Sequence, residues 1–150
     1  MQLFIGGACA GKRDLVAARF PGAAWYRVDE AGLEGREHDL RPGAALVLTG
    51  WTGWLERALA EEPDDDRLRG RLDAALEALV GAEAACDGEV VLILPEIGRG
   101  IVPMEAADRR LRDLAGWLAQ DVAARAEAVW YVRHGLARCL RQVNPRGDAR

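Results

Sequence analysis

The run Leu3-Phe4-Ile5 leads directly into Gly6-Gly7-Ala8-Cys9-Ala10-Gly11-Lys12. An apolar, strand-like segment, two glycines at G-x-x-x-x-G spacing, a lysine and then a helix-like stretch restrict this chain more than any other feature. Gly6 and Gly11 allow backbone angles that residues with a Cβ resist. Main-chain N–H groups can then converge on a phosphate, with the partial positive charge of a helix N-terminus behind them. The spacing is that of a phosphate-binding loop. Gly6, Gly7, Ala8, Cys9, Ala10, Gly11, Lys12 and Arg13 form the expected nucleotide-binding set, and Lys12 is expected to reach the terminal phosphates.

Lys12 is the only lysine among 20 Lys and Arg residues. A composition that otherwise uses arginine everywhere places its one lysine at the loop position, where a compact ammonium suits a phosphate better than a planar guanidinium. The loop also departs from its usual form. A Ser or Thr whose hydroxyl ligates Mg2+ normally follows the lysine; here Arg13 follows, and the chain contains no serine.

Apolar residues make up 50% of the 150, and charged residues 29%. This composition is that of one globular domain with a substantial core. A net charge of −4 argues against nonspecific binding of nucleic acid. No apolar run reaches membrane-spanning length and the first residues lack a signal-peptide pattern, so the expected location is cytoplasmic. Cys9, Cys86 and Cys139 are odd in number and widely spaced, which fits reduced thiols.

Strand-like runs fall at Gln2–Ile5, Ala23–Val28, Ala44–Thr49, Glu89–Leu94 and Ala128–Val132. Helical patterns fall at Lys12–Phe20, Trp51–Ala60, Arg67 to about Ala85, and Glu105–Ala126. The acidic stretch Glu61–Asp66 is expected to cap the third of these helices. Asp29–Gly43 reads as a polar loop, and residues from Arg141 onward as a loose tail after a single domain over 1–140. The strands are continuously apolar and alternate with helices, which predicts an α/β fold: a mostly parallel sheet of five or more strands, with helices on both faces. Ligands then bind beyond the carboxyl ends of the strands, at Gly6–Lys12, Asp29–Arg41, Thr49–Trp51, Pro95–Pro103 and Arg133–Gly135. The five tryptophans are expected in the core or at subunit contacts.

After the fourth strand comes Glu96-Ile97-Gly98-Arg99-Gly100-Ile101-Val102-Pro103, followed in the long helix by Arg109, Arg112, Asp113 and Gly116. This E-x-G-x-G-I-V-P segment with R-x-x-R-D-x-x-G resembles the bifunctional adenosylcobinamide kinase / adenosylcobinamide-phosphate guanylyltransferase family of cobalamin biosynthesis. The resemblance runs from the first strand through Asp29 and the His38–Pro42 segment to Gly135. It implies a P-loop NTPase-like fold, often assembled as a trimer. It also implies ATP and GTP as nucleotides, Mg2+ as the metal and a corrinoid as substrate. Such proteins phosphorylate the aminopropanol hydroxyl of adenosylcobinamide, then transfer GMP to that phosphate through a guanylylated histidine.

Carried over by position, Lys12 and the loop would hold nucleotide phosphates, and Glu96 would act in catalysis and hold metal. Arg109, Arg112 and Asp113 would bind substrate. His38, upstream of Arg41-Pro42, would be the guanylylated residue, although the spacing is one residue short. A neutral imidazole can attack an α-phosphate and later depart. Thr49 stands where the family's third strand ends in an acid, Pro95 where an Asn precedes the glutamate, and Ala119-Gln120 where the long helix carries Asn-Gln. With Arg13 and Thr49 both replacing metal-serving residues, two outcomes are open. Either phosphoryl transfer persists in altered form, or the chain binds nucleotide or corrinoid without turnover, as a regulatory or assembly subunit. His134 and Arg110 are secondary candidates.

Overall fold

The computed structural model describes residues 1–98, 100 and 104–143. In chain order the elements are β1 (Gln2–Gly6), α1 (Lys12–Arg19), β2 (Ala24–Arg27), α2 (Val28–Ala31), a 3-10 turn (Arg36–Asp39), β3 (Ala45–Thr49), α3 (Trp51–Glu61), α4 (Asp65–Cys86), β4 (Glu89–Pro95), α5 (Ala106–Arg125), β5 (Ala128–Arg133) and β6 (Leu136–Gln142). They form one six-stranded sheet in the order β2-β3-β4-β1-β5-β6. The pairs among β1 to β5 are parallel, and β6 runs antiparallel to β5.

Successive strand residues bury on opposite faces, so the apolar runs are continuous rather than alternating. Leu3, Leu46, Leu48, Leu92 and Val129 pack with α3, α4 and α5. Phe4, Val47, Val91, Ile93 and Val132 pack on the other face with Val16 of α1. In α4 the stripe Leu68, Leu72, Leu76 and Leu79 is buried, at the i+3 and i+4 spacings of one helix face. Asp64 caps that helix, accepting from the N–H groups of Asp66 (3.0 Å) and Arg67 (3.2 Å). Trp51 and Trp54 belong to the core, and the Trp51 indole donates to the Leu48 carbonyl at 3.1 Å.

Two expectations are corrected. The polar stretch 29–43 contains α2 and the 3-10 turn. The chain also does not loosen at Arg141, because β6 continues to Gln142. Nearly every β6 side chain is exposed, so no apolar run marked it as a strand. Residues 144–150 of the expected tail lie outside the described residues.

Candidate functional site

β1 lies between β4 and β5, so its carboxyl end emerges with a neighbouring strand end on each side. The loop that follows is held from the β5 side. A Cβ on Gly6 would lie 2.2 Å from the Val132 carbonyl oxygen, so Gly6 is required for close approach rather than for an unusual angle. Gly11 has φ +87°, and a Cβ there would lie 2.9 Å from the Gly135 Cα. The Gly135 N–H donates to the Ala10 carbonyl at 2.8 Å. The β5–β6 turn is therefore docked on the loop.

α1 begins at Lys12 and leaves the N–H groups of its first turn without intrahelical acceptors, as helix N-termini do. The Lys12 ammonium turns back across the loop and donates to the carbonyls of Gly6 (2.8 Å) and Gly7 (2.6 Å). Burial lowers its pKa from the ordinary lysine value, while nearby Cys9 and Glu96 act in the opposite direction. Arg13 is exposed, with its guanidinium 5.7 Å from the Trp25 ring. Cys9 stands at the crest of the loop with φ 54°.

Two cavities flank the loop. The first, about 600 Å³, is lined by residues 9–14 and by Arg27, Asp29, Thr49, Gly50, Trp51, Thr52, Gly53, Ile93 and Pro95. The second, about 310 Å³, is lined by residues 7–10 and by Glu96, Tyr131, Arg133 and His134. Glu96 is placed by the main chain: Gly6 pairs with Pro95, and the Glu96 N–H donates to the Gly6 carbonyl at 2.9 Å. The Tyr131 hydroxyl donates to Glu96 Oε2 at 2.9 Å. A separate cleft of about 740 Å³ lies at the amino ends of the strands. Glu83, Asp87, Glu89 and Glu127 outnumber Arg19 and Arg125 in its lining, so it offers a poor environment for phosphates.

Asp29 heads one of the expected ligand-binding strand ends but carried no individual role in the sequence; it lines the first cavity. Arg27 donates to both of its carboxylate oxygens, Nε to Oδ1 at 3.1 Å and Nη2 to Oδ2 at 2.6 Å. These bonds hold its pKa below the ordinary aspartate value. The available signal was its position just after a strand, beside the Gly50-Trp51-Thr52-Gly53 segment.

The other candidates lie elsewhere. His38 sits on the 3-10 turn with its side chain 83% exposed, 3.4 Å from Glu37, and lines neither cavity. Arg41 of the Arg-Pro pair donates to the His38 carbonyl at 2.8 Å. Arg109 donates to the Met104 carbonyl at 2.5 Å, at the start of α5. Arg112 runs beside Gly98, where a Cβ would lie 2.9 Å from its Nε. Asp113 is exposed. Arg110 binds Asp65 and the carbonyls of Leu59, Glu62 and Pro63, so it ties down the α3–α4 connection. Arg99, Ile101, Val102 and Pro103 of the Gly-rich motif lie outside the described residues. Among the described residues, no group of three or more His, Cys, Asp or Glu side chains is arranged to hold a metal ion. None of the described helices is long and apolar enough to cross a membrane.

The family model for cobinamide kinase / cobinamide phosphate guanyltransferase matches residues 16–140, beginning at Val16 beyond the loop. The bifunctional adenosylcobalamin biosynthesis protein CobU of Escherichia coli is 30% identical over 120 residues, covering 75% of this chain and 64% of its own length. CobU of Salmonella typhimurium is 34% identical over 106 residues, with 65% and 59% covered. The bifunctional adenosylcobalamin biosynthesis protein CobP of Pseudomonas aeruginosa is 37% identical over 94 residues, with 63% and 51% covered. The matched region thus spans between 51% and 64% of the length of these relatives.

Proposed function

The chain belongs to the cobinamide kinase / cobinamide phosphate guanyltransferase family, and from that premise we propose that it phosphorylates the aminopropanol hydroxyl of adenosylcobinamide and transfers GMP from GTP to the phosphate so formed. ATP or GTP would bind at the Gly6–Arg13 loop. The observation that carries this reading is the Lys12 ammonium, laid across a loop at a helix N-terminus with one acid-bearing cavity on each side. Phosphoryl transfer is catalysed mainly by positioning and charge neutralisation, to which the Lys12 ammonium and the α1 N-terminus would contribute. The reading also implies a cytoplasmic protein and, by family resemblance, a trimer.

Mg2+ would supply neutralisation of the phosphates when bound. The described residues offer no multidentate cage, and Arg13 brings no oxygen ligand. They fit an ion that arrives with the nucleotide, because Mg2+ commonly keeps several waters and takes one or two carboxylates plus phosphates. Glu96 would be the protein ligand, its carboxylate oriented by Tyr131. Arg109, Arg112 and Asp113 would meet the corrinoid substrate at the start of α5.

For the guanylyl half, His38 is the family-matched acceptor. Its ring lies outside both cavities, so transfer would require the 3-10 turn and the loop-bound nucleotide to approach each other. Incubation with labelled GTP followed by denaturation should leave an acid-labile label that His38→Ala abolishes. Persistence of that label in His38→Ala and its loss in His134→Ala would move the role to His134.

Arg13 and the neutral, buried Thr49 favour one second reading, a family member that binds nucleotide or corrinoid without turnover. Titration of ATP and GTP against tryptophan fluorescence, run beside a kinase assay on adenosylcobinamide, separates the two. Binding with turnover supports the enzyme, and binding without turnover supports the second reading. No fluorescence response at millimolar nucleotide defeats the enzyme and the nucleotide-binding form of the second reading, and the same titration with adenosylcobinamide decides its corrinoid-binding form.

A further inference from the structure

We propose that Asp29 is a catalytic residue of the kinase half, orienting the acceptor hydroxyl and receiving its proton. This rests on the kinase reading above and assigns a role within the larger cavity. The seat is built from three elements. Arg27 pairs in register with Thr49, which brings the end of β2 beside the end of β3. Asp29 follows two residues later, with Arg27 holding both of its oxygens.

The carboxylate then rests on the first turn of α3. A Cβ at Gly50 would lie 2.2 Å from Oδ1 and 2.8 Å from Cγ. A Cβ at Gly53 would lie 3.0 Å from Oδ2 and 3.1 Å from the Asp29 Cβ. Glycine within a helix costs about 0.5–1 kcal/mol relative to alanine, so Gly53 gives up helix stability where alanine would crowd this side chain. Gly50 has φ +81°, so its own backbone also calls for glycine. Exposed ion pairs contribute little to folding, and a surface bridge alone gives no reason for the glycine at 53.

The position also answers a chemical need. Thr49, at the end of β3, is 5% exposed and uncharged. Glu96 lines the opposite cavity. Asp14 reaches the larger cavity only from the exposed surface of α1. Asp29, 18% exposed, is the carboxylate there that other side chains fix in place.

In the step, the acceptor oxygen forms a bond to the γ-phosphorus. The bond from that phosphorus to the β,γ-bridging oxygen breaks, and the nucleoside diphosphate leaves with the electron pair. The acceptor proton passes to an Asp29 oxygen and then to water. In a loose transition state the proton leaves late, so an ionised carboxylate acts chiefly by orientation.

The test is steady-state phosphorylation of adenosylcobinamide by the full chain, with nucleotide affinity read from tryptophan fluorescence and folding read from thermal unfolding. Asp29→Asn should lower kcat about 100-fold or more and leave nucleotide affinity unchanged. Gly53→Ala keeps the carboxylate and crowds it without an unfavourable φ, and should lower kcat with the same unchanged affinity. Full turnover in a folded Asp29→Asn protein overturns the proposal. If that variant does not fold, full turnover in Gly53→Ala does so. Nucleotide affinity falling in step with kcat also overturns it, in favour of a role in holding nucleotide or metal. A wild-type chain that binds nucleotide and phosphorylates nothing removes the kinase reading itself, an outcome distinct from the others.

Discussion

The two flanks of the phosphate loop carry the same chemical group and hold it by different means. On the β5 side Glu96 is fixed by main-chain registration: β4 is the neighbour of β1, and the Glu96 N–H completes their ladder on the Gly6 carbonyl. On the α3 side Asp29 is fixed by side chains, an arginine clamp and the space left by two glycines. Sheet order therefore guarantees a residue at the Glu96 position. The Asp29 position exists only while Arg27, Gly50 and Gly53 remain. If both flanks serve one nucleotide, they should fail together when Lys12 is lost and separately when their own supports are removed.

The largest effect is expected at the shared element. Lys12→Ala should weaken ATP and GTP by about 1.5–3 kcal/mol, roughly 10- to 150-fold, the range for hydrogen bonds to charged groups. Lys12→Arg should recover little, since a planar fork does not reproduce a compact ammonium. Burial already lowers the lysine pKa in the free protein, and a bound phosphate would raise it again. Affinity should therefore decline as pH rises through the lowered lysine value, before the ordinary 10.5. Binding at alkaline pH should take up a proton, and Lys12→Ala should show neither effect. Calorimetry in buffers of different ionisation enthalpy measures the uptake directly.

This contrast also explains what could be read in the residues alone. Lys12 and Glu96 stand immediately after apolar runs, where the rule for parallel sheets places ligands. The stripes of α4 and α5 were equally plain, because burial on one helix face leaves a period in the sequence. Asp29 shares that signal, since it follows the run Ala23–Val28, but it opens a segment with several acids, and singling it out requires knowing that the end of β2 lies beside the end of β3. Arg110 gave a similar ambiguity: its sequence neighbours make it look like a phosphate contact, whereas its partners come from the α3–α4 connection. β6 escaped notice because an edge strand exposed on both faces carries no apolar period.

The next effect should separate the flanks. Gly6→Ala drives a methyl group to 2.2 Å from the Val132 carbonyl oxygen, so β5 must shift. Overpacking of this kind costs about 1–3 kcal/mol, a fall of roughly 2–12 °C in Tm for a chain of this size. The Glu96 flank, which shares β5 through Tyr131, should lose more than the Asp29 flank. Amide hydrogen exchange at Glu96, bonded to the Gly6 carbonyl, and at Trp54, bonded to the Gly50 carbonyl, reads the two flanks separately. Tyr131→Phe is milder. It keeps the ring and removes the donor to Glu96 Oε2, and should cost about 0.5–1.5 kcal/mol of stability with a loss of nucleotide affinity smaller than that of Lys12→Ala.

The smallest expected effect tests whether the Asp29 seat exists for folding or for chemistry. The hydrogen bonds from Arg27 lower the folded-state pKa of Asp29 below its ordinary 3.8. An acid shifted in this direction stabilises the fold above the unfolded-state value, and that contribution is lost as pH falls through the folded-state value. Wild type and Asp29→Asn should therefore differ in unfolding free energy at neutral pH and converge in strong acid. Glu34 bonded to Arg71 is shifted in the same direction and provides an internal control through Glu34→Gln. Because Arg27 is open to solvent, the Asp29 difference should be small and shrink with added salt. Denaturant titrations across the acid range measure both variants. A large, salt-insensitive loss in Asp29→Asn would make the clamp a structural device, and the equivalence of the two flanks would fail there. A small loss accompanied by a large fall in turnover would leave the carboxylate's action on the acceptor as the reason for its seat.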